Sequence, residues 1–240
     1  MVGAFGPDDE SLGLSEITRR SGVPKASVYR LVQELLDWGF LERRGVGYGL
    51  GLRLFELGQR VPQQRILREA ARPFMEDLLQ STRATIHLAV RDGLDVLYVE
   101  KVAGHNEVSY PSRLAGRMPL HCTEVLLAHS SRSLVAELLA RPLEQVTPYT
   151  VTQPAVLVEE LAKVRAVGYA AEHEQTRVGF MSVASPLVSA TGTVVGALAI
   201  TKPVNRAEVP RLVAMLRTAS HGITQSITLR HMRRADVRHP

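Results

Sequence analysis

The 240-residue chain has one cysteine, Cys122, so an intrachain disulfide is excluded and a reducing compartment is the expectation. It has no apolar run near the ~20 residues that span a bilayer as a helix. The opening "MVGAFGPDDE" has neither a basic start nor a long apolar stretch, so it does not read as a signal peptide. Internal repeats and low-complexity tracts are missing too. So are a second cysteine, a His-x-x-x-His pair, a Gly-rich phosphate loop and a supported Ser/His/Asp order. The triplet His121, Cys122, Glu124 suggests a metal or nucleophile, but neighbours in sequence do not readily converge on one ion. These absences favour a cytoplasmic protein that is not an enzyme, needs no cofactor or metal, and does not engage a membrane.

What is present is an ordinary globular composition, 45% hydrophobic, with a net charge of +5 and a pI near 9.6. That balance suits a polyanionic partner without requiring one. Residues 1–60 carry eight Lys/Arg and eight Asp/Glu, so the N-terminal part is not basic in bulk. The charge is placed: Ile17 to Gln33 holds four basic residues and no acidic one. A uniformly basic, non-specific architectural DNA binder is the weaker alternative for that reason.

Ser15 is the expected N-cap of a short helix ending at Ser21-Gly22, and Pro24 suits the start of a second. Val28, Leu31, Val32, Leu35 and Leu36 share one face of that second helix. Lys25, Ser27, Tyr29, Arg30 and Gln33 lie on its other faces. Gly39 ends it. "FLERRGVGYGL" then reads as a hairpin bearing Arg43 and Arg44. Helix, tight turn, helix, hairpin is the order of a winged helix-turn-helix. A groove-reading helix needs polar side chains on one face and a core anchor on the other. Here Arg30 suits guanine, Gln33 suits adenine, and the two wing arginines suit the flanking backbone or the minor groove. The competing reading is an ordinary solvated face.

Residues 52–81 are helical in pattern, with expected breaks at Pro62 and Pro73, and too apolar for a free linker. From Thr85 the pattern becomes α+β. "TIHLAVRDGLDVLYVEKV" is a strand pair, and "SVASPLVSATGTVVGALAI" is another with its turn at 190–192. A short strand is expected at Val108 to Tyr110. Helices are expected near 123–140, 154–167 and 207–231. The result is an antiparallel sheet with packed helices.

"LSEITRRSGVPKASVYRLVQELLDWGFLERR" resembles the DNA-binding segment of IclR-type bacterial transcriptional regulators. The resemblance continues through "ATIHLAVRDGLDVLYVEKV", "GRMPLHCT", "KVRAVGYAAEHEQTRVGFMSVASPLV" and "TGTVVGALAIT", covering about 12–231. It implies a winged helix-turn-helix at 1–58, a helical connector at 59–81, a GAF-like effector domain at 82–233 and a basic tail at 234–240. It also implies a homodimer or dimer of dimers on a palindromic double-stranded operator. The expected function is a sequence-specific transcriptional regulator, a repressor in preference to an activator, modulated by a small-molecule effector.

The effector pocket so implied takes Gly116, Met118, Leu120, Cys122, Thr123, Glu172, Ser182 and Val183. Met118, Leu120 and Cys122 also read as plain core, and Glu172 as a solvated edge charge. Arg113 and Arg117 suggest an organic acid as effector, or simply a solvated loop. Three departures from the family pattern stand out. No full helix precedes "LSEI", so the expectation is a natural start upstream of Met1. "HCTEVLLAHSS" runs about three residues short, which leaves the pocket role of that helix start open. Ser182 stands where many members have Cys; its hydroxyl can still hydrogen-bond a carboxylate or carbonyl oxygen.

Overall fold

The computed structural model describes residues 1–104, 112, 114–206 and 208–236. The expected strand at Val108 to Tyr110, Arg113 and the end of the tail lie outside the described residues. The chain forms two compact units, Met1–Arg65 and Ile66–Pro240.

In the first unit, a 3-10 turn at Val2–Ala4 precedes α1 (Leu14–Ser21) and α2 (Lys25–Asp37). The N-cap of α1 is Gly13, not Ser15: the amides of Glu16 and Ile17 both donate to the Gly13 carbonyl, so the cap lies two residues earlier than expected. Gly22 closes α1 in the left-handed region, φ 66°, where a side chain would be strained. The hairpin follows as β1 (Leu41–Arg44) and β2 (Gly47–Leu50), with Leu12 bridging to Tyr48. Ile17, Val28, Val32, Leu41 and Tyr48 form the small core, joined by Ala4 and Leu12. Next comes α3 (Leu52–Gln59), which buries none of its residues.

α4 (Pro62–Thr82) runs through Pro73 without a break, contrary to the sequence reading. Proline removes one intrahelical hydrogen bond. Burial on both sides of it, at Ala70, Ala71, Met75 and Leu78, keeps the two halves in one helix.

The second unit is built on a six-stranded antiparallel sheet, β3 (Thr85–Asp92), β4 (Asp95–Val102), β5 (Arg117–Pro119), β6 (Ala170–His173), β7 (Phe180–Val188) and β8 (Val194–Pro203). The order is β5-β4-β3-β8-β7-β6. The two long pairs match the sequence reading. The edge strands β5 and β6 went unread, because three or four residues are too few to show an alternation. Side chains alternate along the central strands. Ile86, Leu88, Leu198 and Ile200 pack with α4 residues and with α8 (Val209–Asp236). Ala89 and Ala197 face the opposite layer of α5 (Glu124–Ala128), α6 (Arg132–Leu139) and α7 (Pro154–Val167). The helix expected near 123–140 is therefore two pieces, α5 and α6, broken at 129–131 and preceded by a 3-10 turn at Leu120–Cys122. Ser131 restarts it, its hydroxyl accepting from the Leu134 amide at 3.3 Å.

Among the described residues no helix is long and apolar enough to cross a membrane.

Candidate functional site: a DNA-reading helix and an effector cavity

In α2, residues four apart stack, so Val28 and Val32 are anchored at zero exposure while Arg30 stands opposite. Lys25, Tyr29 and Arg30 are exposed and Ser27 is half-buried. The Arg30 guanidinium lies 4.0 Å from Glu34, a loose pair that leaves it available to a stronger acceptor. Gln33 lies between Tyr29 and Arg30 on this face, three and four residues on, but it is half-buried, and its Nε2 is buried without a hydrogen-bond partner among the described residues. On the wing, Arg43 is exposed and lies over the Tyr48 ring at 5.6 Å. Arg44 is engaged by Glu42 at 2.7 Å. Arg19 and Arg20 of α1 are also spent, on Glu16 and on Glu16 plus Asp9. Among the described residues of α1, α2 and the wing, Lys25, Arg30 and Arg43 are the cations without a carboxylate closer than 4.0 Å.

The second site is a cavity of about 50 Å³ against the α5 side of the sheet. Small residues make the room. Ala89, Ala184, Ala197 and Ala199 stand where larger side chains would fill the space between β3, β7, β8 and α5. A space of this size holds a few waters or a small ligand.

Of the expected residues, Met118, Cys122, Thr123, Glu172 and Ser182 line it. Gly116, Leu120 and Val183 do not. Leu120 is plain core with zero exposure, on the α5 side. Val183 follows Ser182 in a strand, so it points through the sheet into the α4–α8 core. Glu172 is buried, not a solvated edge charge. Arg117 is exposed and held by Asp92 and Asp95, away from the cavity.

The sequence reading missed the polar end of this cavity: His87, Tyr98, Glu124, Thr176 and Thr201. His87 and Thr201 come from paired neighbouring strands. The ring Nε2 of His87 lies 2.5 Å from Ser112 Oγ, and its Nδ1 lies 3.5 Å from Thr201 Oγ1. Thr201 Oγ1 is 2.9 Å from Ser182 Oγ. Alternation along β3 placed His87 on this face; the identity of its partners was not legible in the chain.

Burial dominates the electrostatics. It drives the His87 imidazole down to about 3, helped by the charge of Lys101, so the ring is neutral. It pushes the Cys122 thiol up to about 12, with Glu172, Glu144 and Glu124 adding to the effect. A thiol held so high is a poor nucleophile at neutral pH. It raises Glu124 to about 7 and also raises Glu172, against hydrogen bonds that favour the charged carboxylate. His121 gives its Nε2 to the Glu144 carbonyl at 2.9 Å and is not beside Cys122 chemically. Among the described residues no cluster of three His, Cys, Asp or Glu is placed to hold a metal ion.

Residues 59–225 match the bacterial transcriptional regulator IclR C-terminal family, and residues 2–45 match the IclR helix-turn-helix domain. The chain belongs to the IclR family. KdgR of Escherichia coli K12, an HTH-type transcriptional regulator, is 32% identical over 90% of this chain and 86% of its own length. The HTH-type transcriptional repressor AllR of the same organism is 25% identical over 92% and 84%. An IclR homologue from Microbacterium hydrocarbonoxydans, solved with 4-hydroxybenzoate, superposes with a TM-score of 0.88 at 35% identity, covering 94% and 95% of the two chains. As an IclR-type protein, this is a DNA-binding transcriptional regulator with a ligand-binding C-terminal unit.

In that setting Arg30, exposed on α2 with only a 4.0 Å pair to Glu34, is the candidate base reader to test. Arg30→Ala is expected to cost roughly 1–3 kcal/mol of specific binding and to relax sequence preference. Equal operator and random-DNA affinities before and after the change would remove Arg30 from the base readers.

Proposed function

We propose that this protein is a cytoplasmic repressor that binds a palindromic operator as a homodimer or dimer of dimers, and that a small organic acid in the C-terminal cavity modulates that binding. The observation that carries the reading is the exposed polar face of α2 around Arg30, anchored through Val28 and Val32. Lys25, Ser27 and Tyr29 join Arg30 there, with Arg43 on the wing. Arg44 would need to leave Glu42 to contribute, and Gln33 would need to turn its half-buried amide outward.

The cavity supports the effector half of the reading. A few convergent polar groups on a wall of alanines and methionine fix a small molecule's orientation. The 4-hydroxybenzoate bound by the Microbacterium relative supports an organic acid. The repressor role of AllR supports repression. The effector would shift the equilibrium between two DNA-binding states by its differential affinity for them.

The test is fluorescence anisotropy on the gene's own upstream DNA against a scrambled duplex, near physiological salt. The expected preference is about 1,000-fold or more. Equal weak binding to both duplexes would overturn the reading as a specific regulator.

A further inference from the structure

A cavity read as the site of an acid carries two acids of its own. Glu124 opens α5 and Glu172 lies in β6; both line the space and both are buried. Among the described residues no lysine or arginine lines it. Lys101 stands opposite His87 in the β3–β4 register, but its Nζ donates to the Ser112 carbonyl at 2.7 Å.

An incoming carboxylate therefore meets carboxyls, not a guanidinium. Two facing carboxylates repel strongly where water is scarce. A carboxylate facing a carboxylic acid instead shares a short, charge-assisted O–H···O hydrogen bond. One proton decides between the two.

Glu172 is poorly suited to carry that proton. It accepts from the Gln175 amide at 2.9 Å, from Thr176 Oγ1 at 3.0 Å and from Ser182, and these donors favour its charged form. Glu124 has one partner, the Gln175 side-chain amide, at a long 3.4 Å. Its second carboxyl oxygen has no hydrogen bond among the described residues. Its place in the cavity follows from its position as the first residue of α5, just after Cys122 and Thr123, which also line the space.

We propose that Glu124 sets the specificity of the effector site: it holds a proton when an anionic effector is bound and donates that hydrogen to the effector carboxylate. This rests on the reading of the cavity as an organic-acid site. The proton comes from solvent, stays on Glu124, and is released when the effector leaves. No covalent bond of the effector changes.

Burial, Glu160 and Glu172 favour the protonated form of Glu124, while Lys163 and the Gln175 amide oppose it. β6 presents Glu172, and α7 presents Glu160 and Lys163, whose Nζ is tied to Glu160 at 2.8 Å. The preceding turn presents the Cys122 thiol, neutral at physiological pH, and β3 presents a neutral His87. β7 and β8 bring the uncharged Ser182 and Thr201. Burial and these acidic neighbours raise the Glu124 carboxyl to about 7 before any effector arrives.

The test is calorimetric titration of the full chain with 4-hydroxybenzoate, lactate and pyruvate, in buffers of different ionisation enthalpy, from about pH 6 to about pH 8. The expected result is uptake of about one proton per bound acid at about pH 8, with affinity falling roughly tenfold per pH unit above about 7. Glu124→Gln keeps a hydrogen-bond donor without the titration. It should bind the acid at about pH 8 as tightly as the unchanged protein does at about pH 6, with no pH dependence. Acid binding with neither proton uptake nor pH dependence would overturn the role of Glu124 and leave the organic-acid reading standing. So would loss of binding in a folded Glu124→Gln. No acid bound at any pH, or 4-hydroxybenzylamine bound in preference to 4-hydroxybenzoate, would overturn the organic-acid reading itself and this proposal with it.

Discussion

Replacing His87 with Gln should remove about 3 kcal/mol of acid destabilisation from the C-terminal unit between about pH 7 and about pH 4. The imidazole is buried neutral and held down to about 3, against an ordinary 6.5. An unfolded chain takes up a proton at 6.5, while the folded one refuses it. Stability from this group is therefore fully present above 6.5 and is lost as the pH falls toward 3.

Glu124 runs the other way. Its carboxyl is raised from 4.5 to about 7, so its contribution is fully present below 4.5 and is lost as the pH rises through about 7. Over the shared window the two nearly cancel in the unchanged protein. The informative quantity is the difference between variants. Chemical denaturation at each pH should show His87→Gln gaining on the unchanged protein as acid is added. Glu124→Gln should lose ground by a similar amount. Parallel curves for all three proteins would show that neither group is held away from its ordinary titration.

Gly51→Ala should destabilise the winged unit by about 3 kcal/mol and weaken operator binding, leaving the C-terminal unit folded. A Cβ at position 51 would lie 2.2 Å from the Gly39 carbonyl oxygen and 2.9 Å from its carbon. These are backbone atoms at the point where the hairpin's exit crosses the end of α2. Gly39 has φ 68°, and the Gly51 amide donates to the Phe40 carbonyl at 2.9 Å, so neither strand end has slack. The core beneath is small, which makes such a loss a large fraction of the unit's stability. Gly58→Ala in α3 is the control. Nothing lies within 4 Å of its added Cβ, and alanine favours a helix by up to about 1 kcal/mol over glycine. Thermal unfolding and anisotropy on the operator check both. An unchanged melting profile for Gly51→Ala would mean the crossing can relax.

The winged unit was legible because its signals are local. Apolar residues every three or four positions mark α2, and the glycines at 22, 39 and 45 punctuate the chain where φ is positive. Ser15 misled because its hydroxyl suits a cap, whereas the true cap, Gly13, two residues earlier, makes no side-chain cap bond and so leaves no side-chain signal in the sequence. Pro73 misled for the opposite reason. A local helix breaker was overridden by burial of Ala70, Ala71 and Met75, which only the packed sheet supplies.

By itself, then, the sequence determined the helices and hairpin of the winged unit, the two long strand pairs, the face of α2 and the family, all of which are written in periods of two or about four residues and in spaced motifs. Only the tertiary structure decided the cavity. Thr201 and His87 are 114 positions apart, and no spacing rule joins them to Glu124. Strand alternation divides neighbours as similar as Ser182 and Val183 between a polar cavity and an apolar core. The titration of Glu124 and His87 follows the same logic, because burial is set by what packs over a group and not by its neighbours in the chain.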